Sequence, residues 1–251
     1  MDFLFEQALL FFISLLANGL SAMAGGGAGL LQLPALLFLG LVFSVALATH
    51  KIASVALGIG ATARHLREKG LSLRFSGHIL LFGLPGVVLG ALWILQIPDI
   101  LARRALGGLT ISLGLYSILK PDFGMSRKLK KGRLIHWLVG GLGLFLIGIL
   151  NGSITSGTGL FVTLWLVMWY GLDYQRSVSY TLILVGIIWN GLGAITLSTQ
   201  ADIKWEWLTP LILGALVGGY LGAHISIAKG NKLVKRCFET LTILVGISLL
   251  F

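Results

Sequence analysis

The chain carries the same interruption twice. A glycine-rich break, Asn18-Gly-Leu-Ser-Ala-Met-Ala-Gly-Gly-Gly-Ala-Gly29, lies inside one hydrophobic stretch, and a second, Asn151-Gly-Ser-Ile-Thr-Ser-Gly-Thr-Gly159, lies inside another. Hydrocarbon offers a backbone no hydrogen-bond partners, so a spanning chain must be helical except where it lines a cavity. Matching breaks in two halves of an apolar chain therefore predict a transport site at the interface of two repeats.

The surrounding composition decides the solvent. With 56% hydrophobic residues, 11% charged residues and a mean hydropathy of +0.94, a chain of 251 residues lacks the polar surface that a water-soluble domain presents. It reads as an all-α polytopic membrane protein. Its 35 glycines suit helices whose backbones approach closely. The single cysteine, Cys237, rules out an internal disulfide and reads as a packing residue. Asp2 and Glu6 precede any Lys or Arg, which is unlike the basic start of a cleaved signal peptide, so the first segment is expected to be retained.

Hydrophobic runs of spanning length fall at about 3 to 22, 28 to 43, 46 to 63, 75 to 95 and 101 to 119, then about 134 to 153, 158 to 171, 177 to 198, 205 to 225 and 234 to 251. The strongly polar stretch 120–133, with Pro121, Gly124 and a basic cluster, divides them. The expected organisation is a first transmembrane repeat at 1–119, a basic cytoplasmic linker at 120–133 and a second repeat at 134–251. Each repeat is a Gly-broken helical hairpin followed by three transmembrane helices, about 8–10 helical segments in all. The two arms of each hairpin are either two spans or a pair that enters and leaves on one face, and the parity of crossings is the same in both cases.

Charge tests the orientation. If each half crosses an odd number of times, the loops 64–74, 120–133, 172–176 and 226–236 share one side and hold 15 of the 19 Lys and Arg residues. Four crossings per half would divide the same charges 11 to 8. The positive-inside rule then favours inverted repeats, with the basic loops cytoplasmic and the N-terminus outside. These charges also account for the formal net charge of +10 without invoking nucleic acid, because they sit in short loops beside apolar spans.

The duplication extends past the glycines. Gly40 to Thr49 corresponds to Gly171 to Thr181 with one inserted residue, and Gly58-Ile-Gly-Ala61 corresponds to Gly191-Leu-Gly-Ala194. With Ala24-Gly-Gly-Gly-Ala-Gly29 followed by Pro34, with Ala46-Leu-Ala-Thr49 and with Gly157-Thr-Gly159, the chain resembles the sulfite exporter TauE/SafE family of bacterial inner-membrane proteins, a resemblance that spans nearly the whole chain in length, hydropathy and duplication. It implies sulfite, sulfoacetate or another organosulfonate as cargo and location in the bacterial inner membrane. Where such proteins commonly carry a small pair after the threonine, this chain has His50-Lys51.

An anion site follows from the residues as well. A helix that starts inside the membrane presents N–H groups and a partial positive charge to a nearby anion. Gly25, Gly26, Gly27 and Gly29, with Gly157 and Gly159 from the other repeat, let backbone approach a ligand; alternatively they only permit close helix packing. Asn151, Ser153, Thr155, Ser156 and Thr158 supply neutral donors, unless their hydroxyls bond back to their own helices. Asn18 and Asn151 occupy matching places and either face the site or pin the broken helices together.

Lys51 falls near the centre of a span drawn from Val42 to Ala63, where an unpaired ammonium costs about 3 kcal/mol. It is expected to hold the anion, or else to snorkel outward if the span begins near Ser44. His50, the one mid-segment histidine, is the candidate for proton coupling or a packed neutral residue, whereas His65, His78, His136 and His224 lie near segment ends. Thr181 and Asn190 either extend the candidate path or simply join helices, Thr49 is counted with the substrate-binding candidates, and Arg176 reads as a topology charge.

The sequence holds no His-Glu-x-x-His, no paired mid-membrane carboxylates and no P-loop. The expectation is therefore a transporter and not an enzyme, with no cofactor and no metal, driven by a gradient. Its expected partners are a small anionic substrate, the bilayer, a coupling proton or other ion, and a second copy in a homodimer. An anion channel or a carrier of carboxylates or amino acids is the alternative. Epitope tags inserted in 64–74 and in 226–236 should both be accessible only from the cytoplasm; tags reporting opposite faces would overturn the inverted arrangement.

Overall fold

The structure, a computed structural model, describes residues 3–65, 71–93, 99–119, 121–122, 124–126, 134–154 and 157–250. Among these the secondary structure is helical throughout, with no strand, as apolar segments without water to satisfy their backbones require. The elements are α1 (Phe3–Ala24), α2 (Ala28–Phe38), α3 (Phe43–His65), α4 (Leu73–Trp93), α5 (Asp99–Leu119), α6 (Leu134–Ser153), α7 (Thr158–Met168) and α8 (Tyr174–Tyr180). A π-helical stretch (Thr181–Trp189) follows, then α9 (Asn190–Ser198), α10 (Trp205–Lys229) and α11 (Asn231–Leu250). Six helices among the described residues are long and apolar enough to cross a membrane: α1, α3, α4, α6, the continuous run Tyr174–Ser198, and α10.

The short arms of both hairpins are half-length helices. Each of α2 and α7 has 11 residues and rises about 16 Å, roughly half the hydrocarbon thickness. Both start directly after a glycine with a left-handed backbone, Gly27 at φ 101° and Gly157 at φ 75°. Both end near another, Gly40 at φ 99° and Gly171 at φ 72°. A side chain at these positions would strain the turn, which is why the sequence spends glycine on all four.

Packing exchanges helices between the two halves of the chain. The α1 helix lies along α10, where Gly214 and Gly218 abut the backbone of Phe11 and Leu15, and Gly222 abuts Gly19. Reciprocally, α4 lies along α6, with Gly86 against the Phe145 carbonyl and Gly152 against that of Val87. Residue numbers rise together along both pairs, so each runs parallel. In contrast α3 and Tyr174–Ser198 run antiparallel, because Lys51 meets Gly193, Gly58 meets Gly186, and His65 meets Ser179. α5 and α11 are also antiparallel, with Gly114 on Thr242 and Gly246 on Ile111. α3 and α5 thus each run opposite to the second-half helix they pack on.

Contacts also gather the loops. At one end Arg64 Nε donates to His224 Nδ1 at 3.2 Å, Lys235 Nζ donates to the Pro121 carbonyl at 2.8 Å, and Asn231 Nδ2 donates to the Met125 carbonyl at 3.0 Å. At the other, the Lys204 N–H donates to Thr49 Oγ1 at 3.0 Å, and Gln7 Nε2 donates to the Glu206 carbonyl at 3.4 Å. The described parts of the basic loops therefore share one end of the bundle.

Close backbone approach makes a specific demand on α4. A methyl at Gly86 would strike the Phe145 carbonyl, whereas one at Gly77 meets nothing within 4 Å. Gly86→Ala should lower stability by about 1–3 kcal/mol through overpacking, and Gly77→Ala should be neutral or stabilise by up to about 1 kcal/mol through helix propensity. Thermal melts of the two variants in detergent check the contrast, and equal effects would contradict this packing.

Candidate functional site

The two breaks touch each other. A Cβ on Gly26 would lie 2.5 Å from Gly159 Cα, and one on Gly159 would lie 2.8 Å from Gly26 Cα, so the backbones cross with no room for a side chain. This crossing brings the N-termini of α2 and α7 together. Their N-cap residues, Gly27 and Gly157, have no side chain to accept from the first turn. Beside them lies a cavity of about 30 Å³ lined by Ser21, Gly26, Gly27, Ala28, Gly29, His50, Ser54, Leu57, Asn151, Thr158, Gly159, Thr181, Leu182, Val185, Gly186 and Asn190. It has room for one or two waters or a small ion.

The π-helical stretch determines which side chains reach the cavity. Thr181 and Asn190 are nine residues apart, and at about 100° per residue an α-helix would turn them to opposite faces. Wider i→i+5 turns, with roughly four to five residues each, keep Thr181, Val185, Gly186 and Asn190 on the cavity side.

Polar groups form two buried systems. In the first, Lys51 is fully buried and donates to the Asn151 carbonyl at 2.8 Å, to Asn151 Oδ1 at 3.1 Å and to Asn190 Oδ1 at 3.5 Å. Asn151 Nδ2 in turn donates to Thr158 Oγ1 at 2.8 Å. All three oxygens around the ammonium are neutral. They solvate the charge without cancelling it, as a carboxylate would. Lys51 itself stands behind Asn151 and Asn190, which line the cavity.

The second system runs away from the cavity. His50 Nδ1 lies 3.0 Å from Gln32 Oε1, and its Nε2 lies 3.0 Å from Ser54 Oγ. Because Gln32 Oε1 also accepts from Asn18 Nδ2 at 3.2 Å, Nδ1 carries the imidazole proton. Asn18 Nδ2 donates further to the Ser14 carbonyl at 2.7 Å, and the Ser14 hydroxyl donates to the Leu211 carbonyl at 2.6 Å on α10. The Ser21 hydroxyl is buried against the cavity and has no hydrogen-bond partner. It is an unsatisfied hydroxyl on the cavity wall.

The expected site residues divide accordingly. Gly26, Gly27, Gly29, His50, Asn151, Thr158, Gly159, Thr181 and Asn190 line the cavity. Lys51 backs it, and Gly157 caps α7 beside it. The Gly25 carbonyl accepts from the Thr163 hydroxyl at 2.7 Å, and that hydroxyl also lies 2.9 Å from Thr181 Oγ1. Thr49 binds the chain at Lys204, and Ser153 donates to the carbonyl of Ile149 in its own helix at 2.9 Å. Asn18 joins helices. Thr155 and Ser156 lie outside the described residues. Sequence reasoning passed over Ser21, Gln32, Ser54 and Thr163. Gln32 had a visible signal, being the single polar side chain in the run 28–43 before Ser44.

Removing the acceptors of the buried ammonium has a calculable cost. Asn151→Leu keeps the volume but leaves Lys51 without the amide oxygen, and should destabilise the protein by about 2–4 kcal/mol. Guanidinium or thermal unfolding of the variant in detergent measures it; wild-type stability would mean that Asn151 does not solvate Lys51.

Comparison with known proteins places the chain among membrane transporter relatives. Residues 10–249 match the family model "Sulfite exporter TauE/SafE". The chain is 28% identical over 228 residues to a "Probable membrane transporter protein" of Haemophilus influenzae, covering 91% of this chain and 88% of that protein. It is 26% identical over 245 residues to the "Probable membrane transporter protein YfcA" of Escherichia coli K12, covering 97% and 89%. It is 29% identical over 243 residues to the "Probable membrane transporter protein ORF9" of a Sinorhizobium species, covering 97% and 92%. With nearly its whole length inside the match, this multi-pass membrane protein belongs to the sulfite exporter TauE/SafE family.

Proposed function

We propose that the chain is a secondary transporter exporting small sulfur-containing anions across the bacterial inner membrane, with the cavity at the crossed breaks as its substrate site. One observation carries this reading: two glycine-capped helix N-termini converge on a polar cavity whose Ser21 hydroxyl lacks a partner. Helix N-termini favour an oxyanion through their N–H groups and dipoles. The neighbouring donors are uncharged, so they bind an anion weakly enough to release it. Lys51 raises the potential of the site from behind Asn151 without touching the guest. In this conformation a cavity of about 30 Å³ favours sulfite over longer organosulfonates.

Transport by alternating access is supported by the antiparallel course of the matched helices, the geometry expected of inverted repeats. The packing suggests that the moving bodies are mixed. Glycine contacts lock α1 onto α10 and α4 onto α6, so each rigid pair contains one helix from each repeat. Relative motion then occurs between these pairs around the crossed breaks.

Ser21→Ala is the discriminating variant, because the hydroxyl makes no internal hydrogen bond and its loss should leave the melting temperature unchanged. Thermal stabilisation of purified protein by sulfite, sulfoacetate, taurine, sulfate and acetate identifies the ligand class. Sulfite should stabilise the wild type selectively, and Ser21→Ala should weaken that binding by about tenfold or more, the worth of one hydrogen bond to a charged group. Lys51→Ala should weaken it further. No stabilisation by any sulfur anion, from folded protein, would overturn the assignment.

A further inference from the structure

The seat of the Lys51 ammonium has the chemistry of a monovalent-cation site. Its oxygens are the Asn151 carbonyl, in the last turn of α6, and the amide oxygens of Asn151 and Asn190. Carbonyls at the C-terminal end of a broken helix carry partial negative charge, and in secondary transporters such ends coordinate sodium ions. Here the same kind of cage closes on a side chain. The lysine stem lies over Gly193, where a Cβ would stand 3.0 Å from Nζ, so the seat has been cleared for the lysine as well as lined for its charge. No described carboxylate contacts the ammonium.

We infer that Lys51 is a tethered cation: its ammonium permanently fills a monovalent-cation site formed by Asn151 and Asn190, so the protein neither requires nor binds sodium there. The resident positive charge compensates the anion that enters beside it. Emptying the seat should uncover the underlying site, which then accepts a free ammonium or alkali cation. The cage requires no assumption about the cargo, whereas the consequence for coupling rests on the anion-export reading above.

The experiment uses full-length protein in detergent, melted at constant chloride in choline, sodium, potassium or ammonium salts. Wild type should melt at one temperature in all four. Lys51→Ala, and Lys51→Met, which keeps much of the stem over Gly193, should melt lower in choline. At least Lys51→Ala should recover by about 2–4 °C or more in ammonium or sodium. Selective stabilisation of the wild type by sodium would overturn the inference. So would a folded Lys51→Ala indifferent to every cation, or failure of both variants to fold even in ammonium. Sulfite uptake into wild-type proteoliposomes should be equal in sodium and choline, and a sodium requirement would also count against a tethered cation. Absence of sulfite uptake in every salt would refute the export reading and leave the melting result to decide the cation site.

Discussion

Everything in this structure hangs on the crossing of two backbones at Gly26 and Gly159. A single methyl on either would meet the other chain at 2.5–2.8 Å. Because the strands of backbone meet there, both half-length helices begin at the same place, and their positive ends point into one cavity instead of two. The glycines do not merely tolerate the break. They set the distance between the two breaks, and that distance puts both helix ends on one cavity.

A buried charge supports the same arrangement from behind. An ammonium inside an apolar protein needs acceptors, and a carboxylate would satisfy it while cancelling its field. Lys51 instead uses three neutral oxygens. Asn151 thereby acts in two directions, accepting from Lys51 on one side and donating to Thr158 at the start of α7 on the other. The charge is solvated, the helix start is positioned, and the cavity keeps a positive surrounding. This is an economical use of one side chain at the junction of α3, α6 and α7.

Much of this was legible in the residues. The spans, the breaks and the clustering of basic loops follow from hydropathy, glycine and charge, and the helices fall within a few residues of the runs that announce them. The half-length of α2 and α7 was not legible, since apolar residues continue through the turns at Gly40 and Gly171 and hydropathy does not register where a helix stops. Pairing Asn18 with Asn151 by their shared Asn-Gly sequence suggested equivalent roles. Counting back from the matched caps Gly27 and Gly157 instead sets Ser21 opposite Asn151, and it is these two that line the cavity. The π-helical stretch left a trace that went unread. Thr49 and Gly58 are nine residues apart while Thr181 and Gly191 are ten, and the additional residue falls where the helix widens.

That one residue is a departure from symmetry with consequences for the site. If the second repeat were α-helical from Thr181 onward, Asn190 would face away from Thr181 and could not share the cavity with it. Lys51 would lose its third oxygen. The first half of the chain contributes the ammonium, and the second contributes the oxygens of Asn151 and Asn190 that receive it. The two halves are thus unequal, one supplying the lysine and the other the oxygens around it, with α3 and Tyr174–Ser198 joined through Gly58 and Gly186. The crossing of the glycine breaks brings the helix ends together, and the π-helical winding between Thr181 and Asn190 places the amide oxygen that reaches Lys51.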